Sequence, residues 1–132
     1  MNDTETGRSK TWLNALLFGL TVVTTWFAGM LFASSFLAAD GGPGLGFFNP
    51  RVVGTGFSYA LALLVILVGH ELGHYLTCRR YGVPATYPYF LPGPPFLGTF
   101  GAFIRIKAHV RFKHQIFDIG ANGPLTGFVL AV

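Results

Sequence analysis

Apolar residues fall along this chain in three long blocks, and the polar residues between them mark where each block ends. Residues 1–11 are polar and carry Arg8 and Lys10, which reads as a short flexible tail. Residues 12–39 then run for 28 positions without a charge, enough to cross a bilayer with some tilt. A cleaved signal peptide has an apolar region of only about 7–15 residues, so this block predicts a retained transmembrane helix. Residues 40–56 are rich in Gly and Pro at their start and read as a loop. Residues 57–77 form the second apolar block, closed by Arg79 and Arg80 and stopped by Gly82 and Pro84.

The pattern then changes. Residues 83–98 contain Pro84, Pro88, Pro92, Pro94 and Pro95, which exclude a helix, yet Tyr87, Tyr89, Phe90 and Phe96 keep the segment apolar. An apolar irregular segment of this kind suits a loop dipping into the membrane interface or packed on protein. From Phe100 to Lys113 the period is two, with Phe100, Ala102, Ile104, Ile106, Ala108, Val110 and Phe112 alternating with Gly101, Phe103, Arg105, Lys107, His109, Arg111 and Lys113. That predicts a strand, bent or folded as a hairpin. Its partner is either another strand of this chain or an extended substrate backbone added at the edge. Residues 116–132 begin a third apolar helix, with Pro124 suited to a first turn and Gly123 and Gly127 suited to close helix contact. The apolar stretch after Gly123 is shorter than the roughly 20 residues a span takes, so this helix reads as cut off. The fold class is therefore an α-helical polytopic membrane protein: two complete transmembrane helices, the start of a third, and residues 78–115 as a Pro-rich loop and β region at the interface.

Composition agrees: 52% of residues are hydrophobic and 11% charged, against about 25% charged in soluble domains. Placing the N-terminus inside puts Arg8, Lys10, Arg79, Arg80, Arg105, Lys107, Arg111 and Lys113 on the cytoplasmic side, with Arg51 alone outside. The net charge of +4 thus sets topology, and no nucleic-acid motif accompanies it. Cys78 is the single cysteine, which excludes an intrachain disulfide.

Within the second block lies His70-Glu71-Leu72-Gly73-His74. On a helix, positions i and i+4 share a face, so both imidazoles can meet one metal ion, with Glu71 about 100° around the axis. The preceding run, residues 60–68, offers no polar partner for them. Ionisable groups inside a membrane are costly and point to function. The motif would lie roughly 5–15 Å below the cytoplasmic surface, judged from the rise to Arg79 and Arg80. Cys78 lies about 12 Å along the axis from His70, too far to share that ion. The longer H-E-x-x-H-x-x-G-x-x-H pattern fails, since Thr77 and Arg80 stand in its Gly and His places, and no Glu follows Glu71.

His70–His74 in an apolar helix, Gly98-Thr99-Phe100-Gly101-Ala102-Phe103-Ile104 after a Pro-rich loop, and Phe117-Asp118-Ile119-Gly120 leading to Gly123-Pro124-Leu125-Thr126-Gly127 together resemble the site-2 protease family. The likeness covers about residues 52–132 and is nearest to bacterial and chloroplast-type members without an inserted PDZ domain. It implies an intramembrane zinc metalloprotease that cleaves membrane-protein substrates in or near their transmembrane segments. His70 and His74 would be zinc ligands and Glu71 the acid/base. Gly98, Thr99, Phe100, Gly101 and Ile104 are candidate substrate contacts, and the lipid bilayer is the second partner. It also implies a bacterial inner membrane or a chloroplast membrane, with the active site towards the cytoplasmic side. The family draws its third ligand from an Asp in a later helix, in a Leu-Asp-Gly-type motif that this chain lacks; Asp118 belongs to a different segment. The third ligand is expected beyond Val132. The rival class is a non-catalytic membrane metal-binding or scaffold protein, against which the intact Glu71 speaks, because a structural zinc does not use it.

Overall fold

The computed structural model describes residues 3–39 and 46–132. Residues 1, 2 and 40–45, part of the expected tail and first loop, lie outside it. The described elements are α1 (Asp3–Ala39), α2 (Pro50–Arg80), β1 (Tyr89–Pro92), β2 (Thr99–Phe103) and α3 (Lys113–Ala131). The chain is mostly helical, as the block pattern predicts. Residues Thr11–Ala39 and Pro50–Arg80 are long and apolar enough to cross a membrane, and only 22% of the most apolar stretch of each is buried. A soluble core helix would be mostly buried. On α2, Phe57, Leu61, Val65, Leu72 and Leu76 instead form an exposed apolar stripe at helical spacing.

Every helix is longer than the apolar pattern alone indicates. α1 reaches back to Asp3, through residues read as a tail, because the polar turns ahead of Trp12 contain nothing that breaks a helix as proline does. α2 begins at Pro50 rather than 57. Asn49 caps it, its Oδ1 accepting from Arg51 N at 3.0 Å, and Pro50 takes the first position, where a missing N–H costs nothing. The helix ends as a Schellman turn: Val83 N donates to Cys78 O at 2.8 Å and Gly82 N to Arg79 O at 3.1 Å, with Gly82 at φ +66°. α3 starts at Lys113, and Pro124 lies inside it rather than in its first turn. The proline removes one hydrogen bond, to Gly120 O, which a helix of this apolarity tolerates.

The strand expected over residues 100–113 is shorter. β1 and β2 form a two-stranded hairpin, and one isolated antiparallel bridge joins Ala85 to Ile106. The facing segment carries Pro84, Pro88 and Pro92, which have no N–H to offer, so pairing is intermittent. Thr86 N still donates to Arg105 O at 2.9 Å and Lys107 N to Pro84 O at 2.8 Å.

The chain divides into two compact units. The first comprises Met1–Leu63 and Phe90–Gly101. There Gly29 and Gly56 let α1 and α2 touch backbone to backbone: a Cβ on Gly29 would lie 2.6 Å from Gly56 O, and one on Gly56 2.8 Å from Met30 N. Trp26 Nε1 donates to Val53 O at 3.2 Å. Thr21 and Thr25 are fully buried and turn their hydroxyls onto their own helix, Thr25 donating to Thr21 O at 2.6 Å, which removes the penalty of an unpaired polar group. Thr24 donates to Gly98 O at 2.6 Å and so ties the hairpin loop to α1. The second unit comprises Leu64–Tyr89 and Ala102–Val132. It holds the C-terminal part of α2 against α3, and the chemistry lies there.

Candidate metal centre

α2 and α3 of the second unit run antiparallel, and glycines on both helices bring them close. On α2, Gly69 faces Leu130 and Gly73 faces Asn122. On α3, Gly123 lies beneath the ring of His74, so close that a Cβ would occupy the imidazole's place, and Gly127 lies beneath His70, where a Cβ would come to 3.4 Å from Nδ1. The i, i+4 spacing of the histidines thus meets an i, i+4 spacing of glycines on the facing helix. Asn122 Nδ2 donates to Thr77 Oγ1 at 3.0 Å, and that hydroxyl donates to Gly73 O at 2.8 Å. One turn further on, the Tyr81 hydroxyl donates to Asp118.

This packing aims the imidazoles. His74 Nδ1 lies 2.6 Å from Ile119 O. A carbonyl only accepts, so Nδ1 carries the proton and Nε2 keeps its lone pair. That Nε2 lies 3.2 Å from His70 Nε2, a separation that either a shared proton or a cation between the two nitrogens satisfies. Two ligands of a tetrahedral zinc, each at about 2.0–2.1 Å, stand about 3.3 Å apart. A ligating histidine commonly donates its other ring N–H to a backbone carbonyl, which fixes the ring and its tautomer. The two histidines therefore fit a zinc ion. Among the described residues no group of three or more His, Cys, Asp or Glu comes together, so these imidazoles are an incomplete ligand set.

Glu71 is 4% exposed and makes no hydrogen bond among the described residues. It lines the same cavity as His70 and His74, a space of about 450 Å³. Ile104, Ile106 and Val110 form a wall of it, with Ile119 and Gly120 of α3. A cleft with apolar walls and a few converging polar groups is the usual form of a small binding site.

A model of peptidase family M50 matches residues 58–132, more than half of the chain. The chain belongs to peptidase family M50, the site-2 protease family. Among its curated relatives is the Arabidopsis thaliana protein named "Probable zinc metalloprotease EGY2, chloroplastic", 34% identical over 130 residues, covering 97% of this chain and 22% of the relative. Its namesake in Oryza sativa subsp. indica is 37% identical over 84 residues, 64% of this chain and 15% of that one. "Probable zinc metalloprotease EGY1, chloroplastic" of Oryza sativa subsp. japonica is 39% identical over 72 residues, 54% of this chain and 12% of that one. The chain spans about a fifth or less of the length of these relatives. No solved structure matches it.

The M50 match spans all the candidate site residues named from the sequence, His70 to Ile104. His70, Glu71 and His74 meet at one cavity, and Ile104 lines it. Gly98, Thr99, Phe100 and Gly101 belong to the first unit. There Gly98 is buried with φ +81°, its α-carbon facing Thr25 so closely that a Cβ would lie 2.8 Å from the Thr25 Cα, and Thr99 Oγ1 donates to Leu91 O across the hairpin. Asp118 is engaged by Tyr81. Sequence reasoning missed the seating of the imidazoles on Gly123 and Gly127, although the matched four-residue spacings were a readable signal. It also missed the Thr77–Asn122 pair, for which no local pattern exists.

Proposed function

We propose that the full-length protein is an intramembrane zinc metalloprotease that hydrolyses peptide bonds in or near transmembrane segments of membrane-protein substrates. The observation that carries this reading is the convergence of His70 Nε2 and His74 Nε2 at 3.2 Å on a cavity that also holds the buried Glu71. The exposed apolar faces of α1 and α2 support membrane insertion, and the charge asymmetry of the chain supports an inside N-terminus. The relatives named above are chloroplastic, which favours a chloroplast-type membrane or its bacterial counterpart.

His70 and His74 would hold the zinc, and at least one further protein ligand would come from residues other than those described. Zinc supplies Lewis acidity, polarising the oxygen that attacks or is attacked. Glu71 would accept a proton from the attacking water and later give it to the departing amine. The Ile119 carbonyl would keep His74 in the tautomer that leaves Nε2 free. Ile104, Ile106 and Val110 would shield the reacting groups from bulk water and strengthen each electrostatic contact. A helical substrate hides its peptide bonds, so it must unwind locally. The edge of β2 away from β1 has no strand partner among the described residues and would accept the extended segment.

The test is cleavage of reconstituted single-span substrates by the full-length protein, with Glu71→Gln alongside and zinc measured in both. We expect Glu71→Gln to retain zinc and lose activity by on the order of 10²–10⁴-fold. Zinc bound without cleavage in either form would favour a metal-binding scaffold, and no zinc in either would remove the metal centre.

A further inference from the structure

The segment after β2 has two unlike faces. Ile104, Ile106 and Val110 line the metal-site cavity, Val110 also reaching the recess on the other side, while Arg105, Lys107, His109, Arg111 and Lys113 are all exposed. From residue 46 onward the chain has seven Lys and Arg against two acids, Glu71 and Asp118. Glu71 is buried in the cavity, and Asp118 accepts from Tyr81. Among the described residues the four Lys and Arg of this segment form no ion pair. Beside them lies a second recess of about 240 Å³, lined by Tyr81, Pro84, His109, Arg111, Phe112 and Gln115, with no acid in its wall. It opens immediately after the end of α2, where Arg79 and Arg80 add two more exposed cations.

We propose that this recess and its basic ribbon seat the phosphate headgroup of an anionic membrane lipid. A helix that spans a bilayer and ends at Arg80 places the next residues at headgroup depth, so this assignment rests on the reading of α2 as a span, but not on peptidase chemistry. Arg111 offers a planar fork of donors to a phosphate, Gln115 an amide, and Phe112 an apolar side for the glycerol end. The uncompensated charge favours an anionic over a zwitterionic lipid, each cation near such a surface being worth about 1 kcal/mol, or about fivefold in affinity.

The experiment uses the full-length protein in phosphatidylcholine vesicles carrying either spin-labelled phosphatidylglycerol or spin-labelled phosphatidylcholine. Electron paramagnetic resonance then reads the motionally restricted fraction of each label. We expect a several-fold preference for the phosphatidylglycerol label, lowered about fivefold by Arg111→Gln and by Lys107→Gln and unchanged by Arg51→Gln. Equal restriction of both labels would overturn the proposal and leave the cations with orientation alone. A preference insensitive to Arg111→Gln and Lys107→Gln would overturn it too, as would displacement of the label by millimolar inorganic phosphate or by an acidic peptide, which would assign the recess to a free anion or to a substrate segment. Retention of the protein by the vesicles through an alkaline wash tests the span separately.

Discussion

His74 donates its Nδ1 proton to the main-chain carbonyl of Ile119 at 2.6 Å, so an atom of α3 decides which nitrogen a side chain of α2 presents to the cavity. The residue at 119 has no side-chain part in this. What matters is that α3 comes close enough, and that closeness depends on Gly123, over which the His74 ring lies.

Gly123→Ala should therefore lower zinc affinity by at least the roughly 10–100-fold typical of losing a hydrogen bond that orients a ligating histidine, since its Cβ would displace the His74 ring. Gly54→Ala, in α2 and outside the cavity, is the control: nothing lies within 4 Å of its Cβ, and alanine favours a helix by about 1 kcal/mol. Zinc titration of both variants in detergent checks this; equal affinity in the two would refute it.

The Thr77–Asn122 contact ties the same two helices without touching the histidines. Asn122→Ala should reduce stability by about 0.5–1.5 kcal/mol, the range for interhelical hydrogen bonds in membrane proteins, with the zinc stoichiometry unchanged. Unfolding in a denaturing detergent, run with and without a chelator, measures both.

Tyr81, just past the end of α2, has its phenol pushed above the ordinary value near 10, first because it donates to Asp118 and then by burial and the charge of that carboxylate. A raised acid pKa means the folded state holds the proton more tightly. The associated stabilisation is intact below about pH 10 and declines as pH rises from there through the folded-state value. Ultraviolet difference titration should show a late-ionising tyrosine that Tyr81→Phe removes, and Asp118→Asn should bring its ionisation back towards the ordinary range. A tyrosine titration identical in the two proteins would count against the pair.

Ile104 follows β2 directly and lines the metal-site cavity. Ile104→Pro should abolish cleavage of membrane substrates while zinc stays bound, because proline removes the N–H that an added strand uses. Unchanged cleavage would rule out edge pairing with substrate.

Gly56→Ala acts in the first unit, where its Cβ would press on Met30, 2.6 Å from Cγ and 2.8 Å from N. The backbone atom cannot yield as a side chain can, so a stability loss of about 1–3 kcal/mol is expected. Differential scanning calorimetry of the purified protein checks it.

The long helices and the metal-ligand pair were legible because each is written in a local period: unbroken apolar runs for α1 and α2, and four-residue spacing for His70 and His74. Helix starts were not, whereas the ends of α1 at Ala39 and of α2 before Gly82 were. Asn49 and Pro50 form a start signal, but the Gly- and Pro-rich residues just before them outweighed it. Pro124 was misread because position-specific rules place proline in a first turn, whereas α3 simply accommodates one lost hydrogen bond. The β region was half legible. Alternation from Phe100 announced extended chain, yet where it pairs depends on the prolines opposite, a contact between distant segments. Likewise no local pattern announces that Thr77 meets Asn122 or that Tyr81 meets Asp118.

The glycine seats of α3 act as a gauge of register. Sliding α3 by one helical turn so that Ile119 came against His74 would add carbon where that imidazole ring must lie. Docking with Gly123 beneath His74 is what leaves that ring its room. Ion capture and correct seating of that helix are therefore a single thermodynamic event, each strengthening the other by the same amount. A chain whose third helix has not yet docked is in this sense a chain whose two imidazoles are not yet aimed.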